Sequence, residues 1–285
     1  MHLAAPPSPP LLTQLASLAQ CTRAEGYACI RARHEHGAQS VDVDRPQLAI
    51  LLQGRKQLRC DTSLLEFMPG DLLVMTRACR IDMLNAPDPH SGLYLSVVIP
   101  LCEEVLAAAR MLWQEPLPVP GPALLRRPAS QFSQLLLQWQ QALRESHYAE
   151  ARLALATLVI ELCRQGHGGL LRPLAPSFAG EVRARIDAQP GRDWQSCDLE
   201  AALSVSGATL RRRLAAEGTT LRALLTQARL ASAMELLYTT HLPLKTVAAR
   251  VGYRSVASFC RRFQARYRMH PSAIGNAKPE NAKPR

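Results

Sequence analysis

The feature that most constrains the fold of this 285-residue chain is a weak internal repeat near its C-terminus. Residues 199–214 parallel residues 247–263, with a one-residue difference in the length of the turn. Each copy predicts a short helix, a tight turn and a longer Arg-rich helix, which is the spacing of a helix-turn-helix. The matched positions are Glu200 with Ala248, Leu210 with Phe259, and Leu214 with Phe263.

Apolar residues recur at helical spacing throughout this region, so the repeat predicts an all-α C-terminal domain. The predicted helices cover residues 181–188, 199–203, 207–216, 221–238, 244–251 and 255–267. The predicted domain spans residues 176–285, with one helix-turn-helix at about 198–216, a long connecting helix at 221–239, and a second helix-turn-helix at about 244–267.

The last helix of the second copy separates into two faces when its residues are placed about 100° apart. Val256, Phe259 and Phe263 fall on one side, which predicts a core-facing stripe. Arg254 and Arg261 fall on the opposite side, together with small residues. A slim face that carries Arg suits the major groove, because Arg can donate to both O6 and N7 of guanine.

Both copies therefore supply candidate contacts to DNA. The predicted base-reading residues are Ala208, Arg211, Arg212, Arg254, Ser255, Ser258 and Arg261. The predicted contacts to the DNA backbone are Arg213, Lys245, Arg262 and Arg266. The alternative is an ordinary helical bundle whose arginines are simply solvated.

The distribution of charge agrees with a polyanionic partner for the second half of the chain. Residues 181–285 contain 18 Lys or Arg and 8 Asp or Glu, whereas residues 1–180 contain 16 and 15. A nearly neutral domain thus precedes a strongly basic one. Thirty of the 34 cations are Arg, the better residue for bidentate contacts to phosphate or guanine.

The first half is predicted to be a β-rich domain, at residues 1–175. Short apolar runs separated by turn residues predict six strands, a pattern typical of a barrel or sandwich. These runs are residues 48–52, 57–60, 64–68, 72–75, 80–84 and 93–99.

Helical periodicity replaces this pattern after residue 100 and predicts helices at 130–144 and 149–165. The two helices either complete the core of the domain or, because the second is so apolar, form a dimer interface through residues such as Leu155 and Leu158. Residues 166–176 are predicted to be a linker, and the Pro-rich residues 1–10 a disordered end.

A metal site is the main competing hypothesis for the first half. His34 and His36 would lie on one face of a strand, as in metal-binding cupin enzymes, with Glu35 between them. A polar loop is the plainer interpretation, because residues 37–41 supply no carboxylate; Asp42 and His90 remain candidates for the further ligands. The alternative function is then a metal-binding cupin enzyme fused to a basic helical domain.

Two further groups in the first half could carry a signal. Cys60 and Cys79 could sense oxidants, although thiols in strands are usually buried and inert. His90, Tyr94 and Trp113 could line a ligand pocket, and a place in the core or at the surface is the plainer expectation for each.

In the region of the two helix-turn-helix copies, the sequence resembles the AraC/XylS family of bacterial transcription regulators. The resemblance covers about residues 194–274. It rests on Leu199, Val205, Ser206, Leu210, Arg212 and Leu214, on Arg229, Leu230, Ala233, Leu236 and Leu237, on Val247, Ala248, Val251, Gly252, Tyr253, Ser258, Phe259, Arg261 and Phe263, and on Pro271 and Ser272.

The resemblance implies an α+β protein of two domains: a cupin-like β-barrel with a helical dimerisation segment, then two helix-turn-helix subdomains joined by a long helix. A weaker resemblance to the cupin-like sensor rests on the strand pattern and on residues 67–71 (Phe-Met-Pro-Gly-Asp). The chain departs from the family at Glu200 and Ser204, where Ala and Gly are usual, and at Val256 and Ala257, where polar residues are common.

The function implied is that of a cytoplasmic, sequence-specific regulator that activates transcription. The expected partners are double-stranded DNA, a second copy of the chain, RNA polymerase and a small-molecule or protein effector. No catalytic motif, cofactor, metal, secretory signal or membrane span is expected, since the sequence lacks a phosphate-binding loop, a nucleophile elbow and a long apolar run.

Overall fold

The computed structural model describes residues 9–20, 26–43, 45–117, 121–172 and 177–274. The chain divides into two compact units, Met1–Leu174 and Ala175–Arg285. Among the described residues, no helix combines the length and the apolar character needed to cross a membrane.

The N-terminal unit is built on two antiparallel sheets. Their strand orders are β1-β8-β3-β6-β9 and β2-β7-β4-β5. The strands are β1 (Ala28–Ala32), β2 (His36–Val43), β3 (Gln47–Gln53), β4 (Arg55–Cys60), β5 (Ser63–Phe67), β6 (Asp71–Met75), β7 (Cys79–Ala86), β8 (Tyr94–Pro100) and β9 (Leu124–Pro128). The prediction of two domains in the α+β class is confirmed, and all six predicted strands are present.

Strand β3 shows how the sheets and helices share the apolar residues. Successive side chains of a strand point to opposite faces. Leu48 and Ile50 accordingly join a core that the helices complete, whereas Ala49 and Leu51 join a second core shared with the other sheet. The strand is therefore buried on both faces, which explains its continuous apolar run.

Four helices cover the outer face of the first sheet. They are α1 (Pro9–Ala16), α2 (Glu103–Leu112), α3 (Ser133–Arg144) and α4 (Tyr148–Arg164). The prediction of disorder for residues 1–10 is wrong at its end, because α1 begins at Pro9 and buries Leu11 and Leu15. Residues 1–8 lie outside the described part of the chain.

Helix α4 buries most of its apolar surface within the unit. Leu155 and Leu158 are 6% and 1% exposed and belong to the core that α2 and α3 complete. The prediction that these two residues form a dimer interface is therefore wrong. Two apolar side chains of α4 are exposed among the large ones, Leu153 at 61% and Tyr148 at 42%.

The predicted linker at residues 166–176 is also partly wrong. Gly168–Leu171 forms a 3₁₀ turn in which Leu170 and Leu171 are fully buried in the N-terminal core. The two leucines, rather than the glycines around them, decide the structure of this segment because burying them is favourable.

The C-terminal unit contains six helices among its described residues. They are α5 (Phe178–Ala188), α6 (Ser196–Leu203), α7 (Gly207–Ala216), α8 (Leu221–Thr239), α9 (Leu244–Arg250) and α10 (Val256–Tyr267). Side-chain oxygens cap four of them, because the first N–H groups of a helix have no partner within it. The caps are Ser177, Ser206, Thr220 and Ser255.

Candidate nucleic-acid interface

The second helix-turn-helix is held by a tight turn between α9 and α10. Gly252 has a φ of +82°, and the Tyr253 N–H donates to the Ala248 carbonyl over 2.8 Å. A Cβ atom at Gly252 would lie 3.0 Å from the guanidinium carbon of Arg229. Glycine is thus required twice, for the left-handed backbone and for the approach of Arg229 from α8.

Helix α10 has the two faces that its periodicity predicts. Phe259 and Phe263 are fully buried and form a row of ring contacts with Tyr253 and Tyr267. Arg261 lies on the exposed side. This burial fixes the rotation of α10 about its axis, so the polar face is presented to solvent.

The predicted DNA contacts of the second copy separate into two groups. Arg254, Ser255, Ser258 and Arg262 line one cavity, whereas Arg261 lies outside it. Arg254 is 95% exposed and lies 3.7 Å from the Asp193 carboxylate. The two other predicted backbone contacts are Lys245, which is exposed on α9, and Arg266, whose guanidinium lies 5.9 Å from the centre of the Tyr267 ring.

The first helix-turn-helix repeats the backbone of the second. The Val205 N–H donates to the Glu200 carbonyl, as Tyr253 does to Ala248, and Ser204 takes the place of Gly252 with a φ of +52°. Leu210 and Leu214 face the core of this copy. Three of the predicted base-reading residues are exposed on α7, namely Ala208, Arg211 and Arg212.

Arg213 has different surroundings from those of the other predicted contacts. Its guanidinium lies 5.1 Å from the centre of the Phe178 ring. Arg213 and Phe178 line a second cavity, of about 350 Å³, together with Glu181 and Glu217. The Glu217 carboxylate accepts hydrogen bonds from the Ser177 hydroxyl and from the N–H groups of Phe178 and Ala179, at 2.6, 2.8 and 3.0 Å. These bonds, that from Ser177 first, lower the pKa of Glu217 below its ordinary value.

Two arginines of α8 line the cavity of the second copy, although the sequence predicts α8 only as a connecting helix. Arg222 and Arg229 line the cavity that also contains Arg262. Arg229 donates to the backbone carbonyls of Pro190 and Arg192, at 3.2 and 3.0 Å, which fixes its position. No local pattern could have indicated Arg222, because its place beside Arg262 depends on the tertiary arrangement of α8 and α10 around the cavity.

The candidate metal ligands do not share a strand face. His34 lies in an exposed bend before β2, and His36 is buried. The two ring nitrogens of His36 lie 3.0 Å from the His34 carbonyl and 3.0 Å from the Asn85 amide. Within the described ranges, no three His, Cys, Asp or Glu residues are grouped so as to hold a metal ion.

A buried polar network that no sequence pattern predicts surrounds His36. The Lys56 ammonium donates to the Asn85 amide oxygen over 2.8 Å, and the Tyr94 hydroxyl donates to Ser96 over 3.2 Å. Burial lowers the pKa of Lys56 to about 8 and is the main cause that lowers the pKa of His36 to about 4. Both groups are therefore held in an environment that disfavours their charged forms.

The remaining candidates of the N-terminal unit lie apart in the fold. His90 is in an exposed loop, Tyr94 is buried on β8, and Trp113 follows α2. Burial, and then the neighbouring Cys60, raises the pKa of the Cys79 thiol to about 12. Cys79 is consequently a thiol at neutral pH, and thiols are weak nucleophiles.

Comparison with known proteins agrees with this geometry. A family model described as "Helix-turn-helix domain" matches residues 199–277. The ornithine utilization regulator of Pseudomonas aeruginosa is 34% identical over 154 residues, which are 51% of this chain and 44% of that protein. The urease operon transcriptional activator of Escherichia coli is 34% identical over 87 residues, 30% of this chain and 29% of that protein. The chain thus spans less than half the length of these relatives.

Over most of its length the chain is similar in fold to ToxT from Vibrio cholerae. One ToxT crystal structure covers 89% of this chain and 98% of its own, with 12% identity and a TM-score of 0.59. A second, with an unsaturated fatty acid bound, covers 86% and 92%, with 14% identity and a TM-score of 0.60. At this identity the likeness concerns the fold alone.

The C-terminal unit therefore contains a helix-turn-helix domain. The repeat and the connecting helix of this unit agree with the resemblance to the AraC/XylS regulators.

Proposed function

We propose that this chain is a transcription regulator that binds double-stranded DNA through α7 and α10 and receives a signal through its N-terminal unit. The observation that carries the proposal is the division of α10 into a buried aromatic face and an exposed face with Arg261. A helix of this kind can enter the major groove without disturbing its own core. The excess of Arg in residues 181–285 supplies the attraction to phosphates.

The N-terminal unit would supply the input and the self-association of the regulator. The exposed apolar side chains Met111, Leu112 and Leu153, at 83%, 61% and 61%, support a homodimer through α2 and α4. We further propose that the regulator activates transcription and contacts RNA polymerase. Its signal would be an effector, either a small molecule or a protein. A fatty acid bound to ToxT makes a small apolar acid one effector class to try.

The test of DNA reading compares Arg261 with its neighbour Arg262. Selection from random duplexes with the full chain would first define the preferred site. Arg261→Ala should then lose preference at one base pair, worth roughly 1–3 kcal/mol of discrimination. Arg262→Ala should weaken the preferred site and random DNA alike, because a phosphate contact carries no sequence information.

Both substitutions remove one positive charge, so net charge cannot explain a difference between them. Equal loss of affinity for the preferred site and for random DNA in both variants would contradict the rotation assigned to α10. Absence of salt-dependent binding to any duplex by the unmodified chain would contradict the function itself.

A further inference from the structure

A cavity of about 350 Å³ lies between the connecting helix and the second helix-turn-helix. Helix α8 contributes Arg222 and Arg229, the turn contributes Arg254, and α10 contributes Arg262. All residues that line the cavity are described, and none of them is acidic. Four arginines thus line one concave surface, and no acidic residue lines it.

The four arginines are not equally engaged. Arg229 is held by two backbone carbonyls, and Arg254 lies near Asp193. Arg222 and Arg262 form no ion pair with any residue in the described part of the chain. Burial raises the pKa of the Tyr253 hydroxyl in this cavity, and the positive charges of Arg262 and then Arg229 oppose that rise.

Clustered like charges repel one another, so such a surface is stabilised by an anion that approaches all of them. The N-terminus of α10, capped by Ser255, opens onto the same cavity and adds partial positive charge. A phosphate group matches this surface, because guanidinium groups donate to its oxygens in pairs.

We infer that this cavity binds one phosphate group of the DNA backbone, held jointly by Arg222 of α8 and Arg262 of α10. The inference rests on the proposed function and adds the connecting helix to the DNA-binding surface. Only the second copy would have this phosphate site. The position equivalent to Arg262 in the first copy is Arg213, which lies over the Phe178 ring beside Glu181 and Glu217.

The experiment measures how the affinity of the full chain for a random-sequence duplex changes with salt. The slope of log affinity against log salt is negative, and its magnitude decreases by about 0.9 for each phosphate that the protein no longer neutralises. Arg222→Ala and Arg262→Ala should each lower this magnitude by about 0.9, and the double variant should lower it by the same amount, because both residues bind one phosphate. Arg222→Lys should keep the slope, since it keeps the charge.

Arg185→Ala provides a charge-matched control, because Arg185 is exposed on α5 and does not line the cavity. It should leave the slope unchanged. Circular dichroism of each variant would verify folding, and the exposed Arg222 can be replaced without opening a core. Unchanged slopes in both cavity variants, or a double variant whose slope falls in magnitude twice as far as that of either single variant, would overturn the inference.

A second arm separates DNA from a free phosphate as the source of the anion. Calorimetric titration of the DNA-free chain with inorganic phosphate should show no saturable binding below about 1 mM, because one phosphate alone supplies little binding free energy. Tighter binding that Arg222→Ala abolishes would assign the cavity to a free anion instead. An unmodified chain without salt-dependent binding to DNA would refute the proposed function, a result distinct from both.

Discussion

The two helix-turn-helix copies share one backbone and differ in the chemistry placed on it. Each has a short helix, a turn with one left-handed residue and a longer helix that begins after a capping serine, Ser206 or Ser255. Around the second copy the arginines line an open cavity, whereas in the first copy Arg213 lies over a ring beside two glutamates. A repeated architecture therefore need not imply two equal contributions to DNA binding.

The copies also differ in which of two contacting residues has the larger side chain. The second copy has Ala248 on its first helix and Val256 at the start of its second helix, whereas the first has Glu200 and Gly207. The Glu200 carboxylate accepts a hydrogen bond from the Ser196 hydroxyl over 2.7 Å and fills the space beside Gly207. The departure from the family pattern at Glu200 is thus matched by a small residue opposite.

The largest effect is expected when this match is broken with Gly207→Val, which gives the first copy the residue of the second. A Cβ atom there would lie 2.6 Å from the nearer Glu200 carboxylate oxygen, too close for ordinary contact. We expect a loss of about 1–2 kcal/mol, because the Glu200 side chain must move away and give up its hydrogen bond to the Ser196 hydroxyl. Hydrogen exchange of the α6 and α7 amides would measure it locally.

Glu200→Ala in the same background should recover most of that loss, because it recreates the pair found in the second copy. The single variant Glu200→Ala completes a double-mutant cycle and isolates the coupling between the two positions. Equal destabilisation by Gly207→Val with Glu200 present or absent would show that the two side chains do not compete for space.

Much of the C-terminal fold follows from sequence because its signals are local. Helix α7 has the bounds predicted, Gly207–Ala216, since a serine cap and two buried leucines define it. The orientation of α10 was predictable for the same reason, from the spacing of Phe259 and Phe263.

The elements that could not be predicted from sequence depend on distant partners. Strands β1 and β9 are short and pair at the edges of their sheet, so neither has a strong alternation of its own. The cavity with Arg222 needs residues of α8, of the turn after α9 and of α10 to come together in the folded unit. The Lys56, Asn85 and His36 network likewise joins three strands, and such contacts leave no periodic trace.

A smaller effect is expected from Glu217→Gln, which removes a negative charge at the end of α7. The Glu217 carboxylate accepts hydrogen bonds from the start of α5. The second copy lacks this contact, because the equivalent residue there is Arg266. Because Glu217 is near the surface, we expect a loss of about 0.5–1 kcal/mol at pH 7. The folded-state pKa of Glu217 is lowered, so its contribution is present above its ordinary pKa of 4.5 and is lost as pH falls through the lowered value. Hydrogen exchange of α5 amides at pH 7 and in acid would follow it; a difference that persists in acid would contradict the electrostatic cause.

The smallest effect concerns the left-handed residue of each turn, which is Ser204 in the first copy and Gly252 in the second. A residue with a Cβ atom is strained at a φ of +52°, whereas glycine is not. The relief of this strain is largely offset by the greater freedom of glycine in the unfolded chain, so Ser204→Gly should stabilise the first copy by less than about 0.5 kcal/mol. Ser204→Ala is the matched control, because it removes the hydroxyl and keeps the strain. Amide exchange in α6 and α7 should slow for the glycine variant alone, and faster exchange in both would mean that the serine hydroxyl, rather than the backbone conformation, decides the stability of this turn.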